Sequence, residues 1–371
     1  MSGDRYLRHS LIDWFSQEHI KSSRVAVVGA GAVGNEVIKN LALLGVGNID
    51  IYDFDSIEIH NLTRSVLFRE TDLNQNKADV ARDRARDLDN SLNINSFHGD
   101  VWETLKISKL VNYNCIISCV DNFEARLKLN TLCQLYNIDF VNTGIDSRYV
   151  SIEVFPFGVA NEIACYECNL PNSVYDKIQD RYSCGWLKRA SYHEKKIPTT
   201  IITSSIAGSI ATSCALRLGN TNTANRSFKI LYDTINNTMS KTDYIKSSDC
   251  IICNIPNNKV FLKSDKSVVN SLGEITIDND LSIMTSDQII VKAVCNICNK
   301  DFNEYTYQNT RKISDSIMIC DTCNLKSVAV DIRDSFSYEQ FTELTKSGAL
   351  DAKYIYFRLD DMMYIINTEE D

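Results

Sequence analysis

Residues Arg24–Lys77 read RVAVVGAGAVGNEVIKNLALLGVGNIDIYDFDSIEIHNLTRSVLFRETDLNQNK. Val25 to Val28 is an unbroken apolar run, the pattern of a strand buried on both faces of a parallel sheet. Gly29, Gly31 and Gly34 then form G-x-G-x-x-G. From Asn35 to Leu44 the apolar residues Val37, Ile38, Leu41 and Leu44 recur at helical spacing. Ile49 to Tyr52 predicts a second strand, which ends in Asp53. An acid about 20 residues past the last glycine is where a ribose-binding carboxylate belongs. The glycines alone are a weak signal. Strand, helix and acid in register make a nucleotide site the expectation, with backbone N–H groups around Gly31 and Ala32 facing phosphate.

Outward from this stretch, the chemistry becomes more particular. Asp53 is followed by Asp55, by Asn61-Leu62-Thr63-Arg64, and by Asn76-Lys77. A solvated helix is predicted from Lys77 to Leu88 and a third strand from Ile94 to Phe97. A fourth strand, Asn114–Val120, ends at Asp121-Asn122. Ligands of open α/β sheets bind at the carboxyl ends of strands. One crevice would therefore collect Gly29–Gly34, Asp53 and Asp121. No G-x-x-x-x-G-K-[ST] run precedes it, which excludes a P-loop. Arg64 and Lys77 suit a polyphosphate chain, and Asp121 suits the Mg²⁺ that accompanies one. A nicotinamide dehydrogenase would use Asp53 but has no need of those three together. Singly, each has an ordinary alternative. Arg64 and Lys77 could be surface charges, and Asp121 the N-cap of a helix Phe123–Leu132. Residues 1–23 read by periodicity as a surface helix, with Arg5, Tyr6, Arg8 and His9 ahead of Leu11, Ile12, Trp14 and Phe15.

A chain of 371 residues is expected to form two or three compact units. No segment reads as a membrane span, and the start MSGDRYLRHS is too polar for a signal peptide. Thirteen cysteines in such a chain point to a reducing, cytoplasmic setting and to metal or thiol chemistry. A net charge of −9 argues against a general nucleic-acid binder.

The series R-Y-x-R-H, G-A-G-A-V-G, D-F-D, N-L-T-R, N-K and V-D-N resembles the E1-like, ThiF/MoeB-type adenylating enzymes over about residues 5–255. The resemblance implies an α/β fold, a Rossmann-like, mostly parallel sheet flanked by helices. It implies ATP-dependent adenylation of the C-terminal carboxylate of a ubiquitin-like protein. Asp53 would hold the ribose, Asn61, Arg64 and Lys77 the phosphates, and Asp121 the magnesium. Asp55 and Asn122 lie in the same motifs. Arg8 would reach the partner's ATP across a homodimer interface, which replaces the bland reading of the first helix.

Cys165-x-x-Cys168 and Cys250-x-x-Cys253 predict a closed S₄ zinc site, structural because no coordination position is left for water. The resemblance implies the same pairing across the long interval. Between them, Cys184 lies in a polar stretch with Arg181, Lys188, Arg189 and His193. Nearby positive charge lowers a thiol pKa and makes it nucleophilic. Cys115, Cys119, Cys133 and Cys214 fall in apolar stretches, where thiols are usually inert. The order Ser-Cys, charged loop, Ile197-Pro198-Thr199-Thr200 and a small-residue helix resembles thioester-forming bacterial E1 enzymes. Cys184, in a loop of about 172–198, is the expected thioester cysteine, with Cys214 the alternative. Ala211 and Cys214 stand where relatives often have Gln and Glu.

Residues 256–285 read as a linker containing a strand around Lys259–Leu262. Cys295-x-x-Cys298 and Cys320-x-x-Cys323 then predict a second zinc in a zinc-ribbon-like module, 286–330. Five bases balance five acids there, so no basic footprint points to nucleic acid. The tail, 331–371, should be a small α+β element, with a helix at Phe336–Phe341 and strands at Tyr354–Phe357 and Met363–Ile366. Ribbon plus tail resembles, more loosely, the E1 of bacterial operons that also encode ubiquitin-like, E2-like and deubiquitinase proteins. A role in antiviral defence follows only from that likeness. The expectation is an E1: adenylation, thioester on Cys184, transfer to an E2-like protein. Adenylation alone, for sulfur transfer or peptide modification, and a non-catalytic scaffold are the alternatives.

Overall fold

The computed structural model describes residues 5–13, 15–158, 163–171, 198–218, 226–250, 252–253, 255–256, 258–263, 281–310, 319–346, 352–359 and 362–368. They fall into two packed units, one of 5–170 with 198–253 and a second from 255 onwards.

The first unit holds an eight-stranded sheet. Its strands are β1 (Arg24–Val28), β2 (Asn48–Asp53), β3 (Asn93–His98), β4 (Cys115–Ser118), β5 (Asp139–Ile145), β6 (Tyr149–Phe155), β7 (Phe228–Asp233) and β8 (Thr238–Asp243). Their order is β3-β2-β1-β4-β5-β6-β7-β8. The first five pair in parallel, in registers such as Val28↔Tyr52 and Val28↔Ser118. The last three run antiparallel. The fold is α/β with a mostly parallel, Rossmann-like sheet. Helices α1 (Gln17–Ser22), α2 (Ala32–Leu44), α3 (Lys77–Leu88), α4 (Val101–Thr104), α5 (Ile107–Leu110), α6 (Phe123–Tyr136) and α7 (Ile201–Leu218) surround it.

The apolar run of β1 is continuous because both its faces are covered. Val25 and Val27 share a core with Val37, Ile38 and Leu41 of α2 and with Ala207 and Ala211 of α7. On the other side α6 packs on β4 and β5. α2 begins at Ala32, three residues before its apolar spacing becomes visible, and ends at Gly45 in the left-handed region. The lead-in is less helical than its pattern suggests, with a 3₁₀ turn His9–Leu11 and then the short α1.

One expectation is corrected. α7 is long and apolar enough to cross a membrane by length and composition. Its window is half buried in the protein, against α2 and the sheet. Ser205 donates to Glu36 Oε1 at 2.7 Å, and Gly208 lets the two backbones close. Small residues packed on a sheet account for its apolarity.

In the second unit the sheet order is β13-β10-β14-β15-β9, formed by β9 (Lys259–Lys263), β10 (Ser282–Cys295), β13 (Val328–Ser337), β14 (Tyr354–Leu359) and β15 (Met362–Asn367). A two-stranded ladder, β11 (Ile319–Cys320) with β12 (Leu325–Lys326), stands apart from it. The boundaries expected at 285/286 and 330/331 fall inside β10 and β13. β10 pairs with β13 along most of its length and with β14 near its start, so ribbon and tail share one sheet. The stretch read as a linker supplies β9, which pairs in parallel with β15. The tail helix α8 is Tyr338–Lys346, two residues later than expected, because Phe336 and Ser337 finish β13 and the Ser337 hydroxyl caps the helix.

Candidate nucleotide site and cysteine clusters

The glycine turn is built by close approach. Gly29 has φ +95°, and a side-chain carbon there would lie 2.7 Å from the Cys119 carbonyl oxygen at the end of β4. One at Gly34 would lie 1.9 Å from the Gly29 oxygen. Around Gly31, the first residue before α2, such a carbon meets nothing within 4 Å. The outer glycines therefore pack the turn, while the middle one leaves the α2 N-terminus open, the geometry in which backbone N–H groups take an anion. Gly34→Ala is expected to cost about 3 kcal/mol of stability by forced overpacking. Denaturant unfolding of the purified variant checks this.

Asp53 stands beside the turn. One carboxylate oxygen accepts from Ala30 N at 2.6 Å, the other from Asp55 N at 2.8 Å. Burial raises its pKa, opposed chiefly by the nearby Lys77 ammonium and by those two N–H groups. Lys77 is 8% exposed and reaches Asp55 Oδ2 at 2.7 Å. A buried cation is held in place by a neighbouring acid, as burial of charge requires. Asn61 is also buried, and its Oδ1 accepts from Glu58 N at 2.9 Å. Arg64 donates to the His60 carbonyl at 2.6 Å.

Asp121 follows β4 at the same end of the sheet as Asp53 and the glycine turn. It is not the N-cap of α6. That place belongs to Asn122, whose Oδ1 accepts from Ala125 N at 2.8 Å. Asp121 is exposed and makes no hydrogen bond or ion pair among the described residues. The ends of β1, β2 and β4 thus meet, carrying Gly29–Ala32, Asp53, Asp55, Lys77 and the Asp121 loop to one place.

Two residues passed over in the sequence hold this together. Asn35, fully buried, donates to the Ala30 and Gly31 carbonyls and accepts from Leu67 N at 2.9 Å. It ties the segment after Arg64 to the glycine turn. An amide among the apolar residues of the first buried helical turn is the trace it leaves in the sequence. Arg126 donates to the Val120 carbonyl at 2.8 Å.

Arg8 is placed differently. Arg5 pairs with Asp89 at 3.0 Å, Tyr6 bonds the same carboxylate, and the Tyr6 ring sits on the Gly45 turn. This anchors the segment at the far end of α2, about 20 Å of helix from the glycines. The Arg8 side chain is exposed and without a partner among the described residues.

Cys165, Cys168, Cys250 and Cys253 form one group, and Cys295, Cys298, Cys320 and Cys323 another, each with all sulfurs within 4.8 Å. A tetrahedral ion with ~2.3 Å Zn–S bonds sets its sulfurs about 3.8 Å apart. The observed Cys165–Cys250 and Cys298–Cys320 separations are 3.6 Å. Backbone N–H groups aim at the sulfurs, including Cys165 N at Cys253 and Ser247 N at Cys168. Both sets fit zinc. In Cys168→Ala, metal analysis is expected to show loss of the first ion. The melting temperature should fall by about 10 °C, since a structural metal is worth several kcal/mol and each 1 kcal/mol about 2–4 °C at this size.

Cys184 lies outside the described residues. Cys214, on the buried face of α7, is 4% exposed, and burial raises its pKa. Burial also pushes Cys119 up to about 12 and holds Cys115 and Cys133 well above the usual range.

The family model described as "ThiF family" matches residues 4–252. Over 152 residues the chain is 33% identical to SUMO-activating enzyme subunit 2 of Dictyostelium discoideum, covering 41% of this chain and 22% of that protein. It is 28% identical over 195 residues to ubiquitin-like modifier-activating enzyme 5 of Bombyx mori, covering 50% and 48%. It is 32% identical over 174 residues to adenylyltransferase and sulfurtransferase MOCS3 of Caenorhabditis briggsae, covering 45% and 42%. The chain thus spans under half the length of these relatives. Among solved structures, E. coli MccB with ATP superposes with a TM-score of 0.56 at 21% identity, over 68% of this chain and 75% of that one. At that identity the likeness is one of fold.

Proposed function

The chain belongs to the ThiF family, and on that premise we propose that it activates a ubiquitin-like protein by adenylating its C-terminal carboxylate. The observation that carries the reading is the convergence of an open helix N-terminus, Asp53, Lys77 and an unengaged Asp121 at the ends of β1, β2 and β4.

In this reading the triphosphate lies along the α2 N-terminus, with the ribose at Asp53. Lys77, Arg64 and Asn61 carry the phosphate charge. Asp121 would hold the magnesium that accompanies ATP, with Asn122 fixing the loop through its helix cap, and that charge would neutralise the departing pyrophosphate. The carrier carboxylate attacks the α-phosphorus, the bond to the β-phosphate breaks, and pyrophosphate leaves. Arg8, without a partner among the described residues and set off from its own crevice, is the residue a second copy would receive, so the working form is a homodimer. The Cys184 thiolate then attacks the acyl carbon, AMP departs, and the carrier passes as a thioester to an E2-like cysteine. The eight clustered cysteines hold two structural zinc ions. A cytoplasmic setting keeps these thiols reduced.

The likeness to a protein named as an adenylyltransferase and sulfurtransferase favours a second reading, in which the adenylate serves sulfur transfer or peptide modification without Cys184. Both readings share the first step. The test is ATP–pyrophosphate exchange with the purified chain, Mg²⁺ and a set of ubiquitin-like proteins. Exchange that depends on one of them supports adenylation. Exchange with none of them rejects it.

A further inference from the structure

Asp121 can meet a metal–nucleotide only if the loop behind it is held, and among the described residues nothing bonds Asp121 itself. Two side chains of α6 do the holding. Asn122 caps the helix through Ala125 N, and one helical turn on, Arg126 donates Nη2 to the Val120 carbonyl at 2.8 Å. The two bonds bracket Asp121 on both sides. The guanidinium is itself enclosed. Its Nε is buried and has no hydrogen-bond partner among the described residues. Beside it, β5 places Gly144, where a side-chain carbon would come within ordinary contact, 3.5 Å, of Arg126 Nη1. Behind it stands the phenol of Tyr166, 3% exposed, whose pKa burial raises and the nearby Arg126 charge partly offsets. Tyr166 follows Cys165 directly, and its backbone N–H donates at 3.0 Å to Asn130 Oδ1, one turn beyond Arg126 on α6.

We propose that Arg126 is a positioning residue: by holding the Val120 carbonyl it fixes the Asp121 carboxylate where a divalent cation on the nucleotide is bound. This inference rests on the adenylation reading. Its signature is a specific dependence on the cation. With Arg126→Met, the cation should bind less tightly while the phosphate contacts of Lys77 and Arg64 stay intact. Half-saturating Mg²⁺ for carrier-dependent exchange is expected to rise about tenfold, the worth of one charge-assisted hydrogen bond. At saturating Mg²⁺ the KM for ATP should stay within about twofold of the parent, because no nucleotide contact is lost.

Electron paramagnetic resonance of Mn²⁺ titrated into protein with ATP reads the same site without turnover, and should show about tenfold weaker binding in Arg126→Met. Unchanged cation dependence in the variant overturns the inference. So does a KM for ATP that remains raised at saturating Mg²⁺, which would make Arg126 a phosphate ligand. If the parent binds Mn²⁺ with ATP but catalyses no exchange, the adenylation reading falls while the positioning role of Arg126 is still decided by resonance. A parent that binds neither overturns both. Should Arg126→Met melt below the parent by enough to unfold in the assay, Arg126→Lys, measured in the same way, decides. It should shift the Mg²⁺ dependence in the same direction.

Discussion

Asp121→Ala is expected to lower carrier-dependent ATP–pyrophosphate exchange by at least ~10²-fold, with the fold intact. The magnitude follows from removing one fixed group that orders charge around the transferring phosphoryl centre, typically worth ~3 kcal/mol. The structure makes the variant a clean test. Asp121 bonds nothing among the described residues, and the helix behind it is capped by Asn122, not by Asp121. Deleting the carboxylate therefore leaves no orphaned donor and no uncapped helix. A melting temperature equal to that of the parent, together with lost exchange, assigns the loss to chemistry. Normal exchange in Asp121→Ala would remove Asp121 from the reaction and with it the magnesium site.

Cys184→Ala is expected to show the opposite division. Exchange persists at the parental rate, because pyrophosphate leaves before any thiol acts. The carrier–enzyme adduct that a reducing agent cleaves disappears from a non-reducing gel. Cys214→Ala should keep the adduct. Cys214 is buried in the first core, and burial raises its pKa, so little thiolate forms and no carrier terminus reaches it. Burial raises the pKa of Cys115, Cys119 and Cys133 as well. An adduct that survives in Cys184→Ala and vanishes in Cys214→Ala would reverse the choice. Absence of any adduct in the parent, with exchange intact, would favour the reading in which the adenylate alone is used.

Much of the first unit was legible along the chain. The strands Val25–Val28 and Tyr149–Phe155 and the helix Lys77–Leu88 stand where patterning put them, because both-face burial leaves apolar runs and one-face burial leaves a 3.6-residue period. Both cysteine clusters closed as their C-x₂-C spacing implied, since two cysteines three residues apart can turn toward one ion wherever the second pair comes from. Elements decided by distant neighbours were not legible. α7 is long and apolar enough to cross a membrane by length and composition, which the sequence reading did not register, and half of it is buried against Glu36, α2 and the sheet. Ribbon and tail looked separable, and pairing of Ile289 with Arg333 and of Lys292 with Asp331 joins them.

By itself, the sequence determined the local chemistry of this protein: a glycine turn after a buried strand, an acid at the next strand's end, and paired thiols at metal spacing. These depend on residues close together in the chain, where backbone geometry dictates the outcome. Only the tertiary structure decided which groups are free to act. Lys77 is engaged by Asp55, Asn122 takes the cap and releases Asp121, and Asn35 and Arg126 brace the two loops from behind. Whether a side chain is available depends on what the fold has already bonded it to, and those partners come from strands and helices far apart in the sequence.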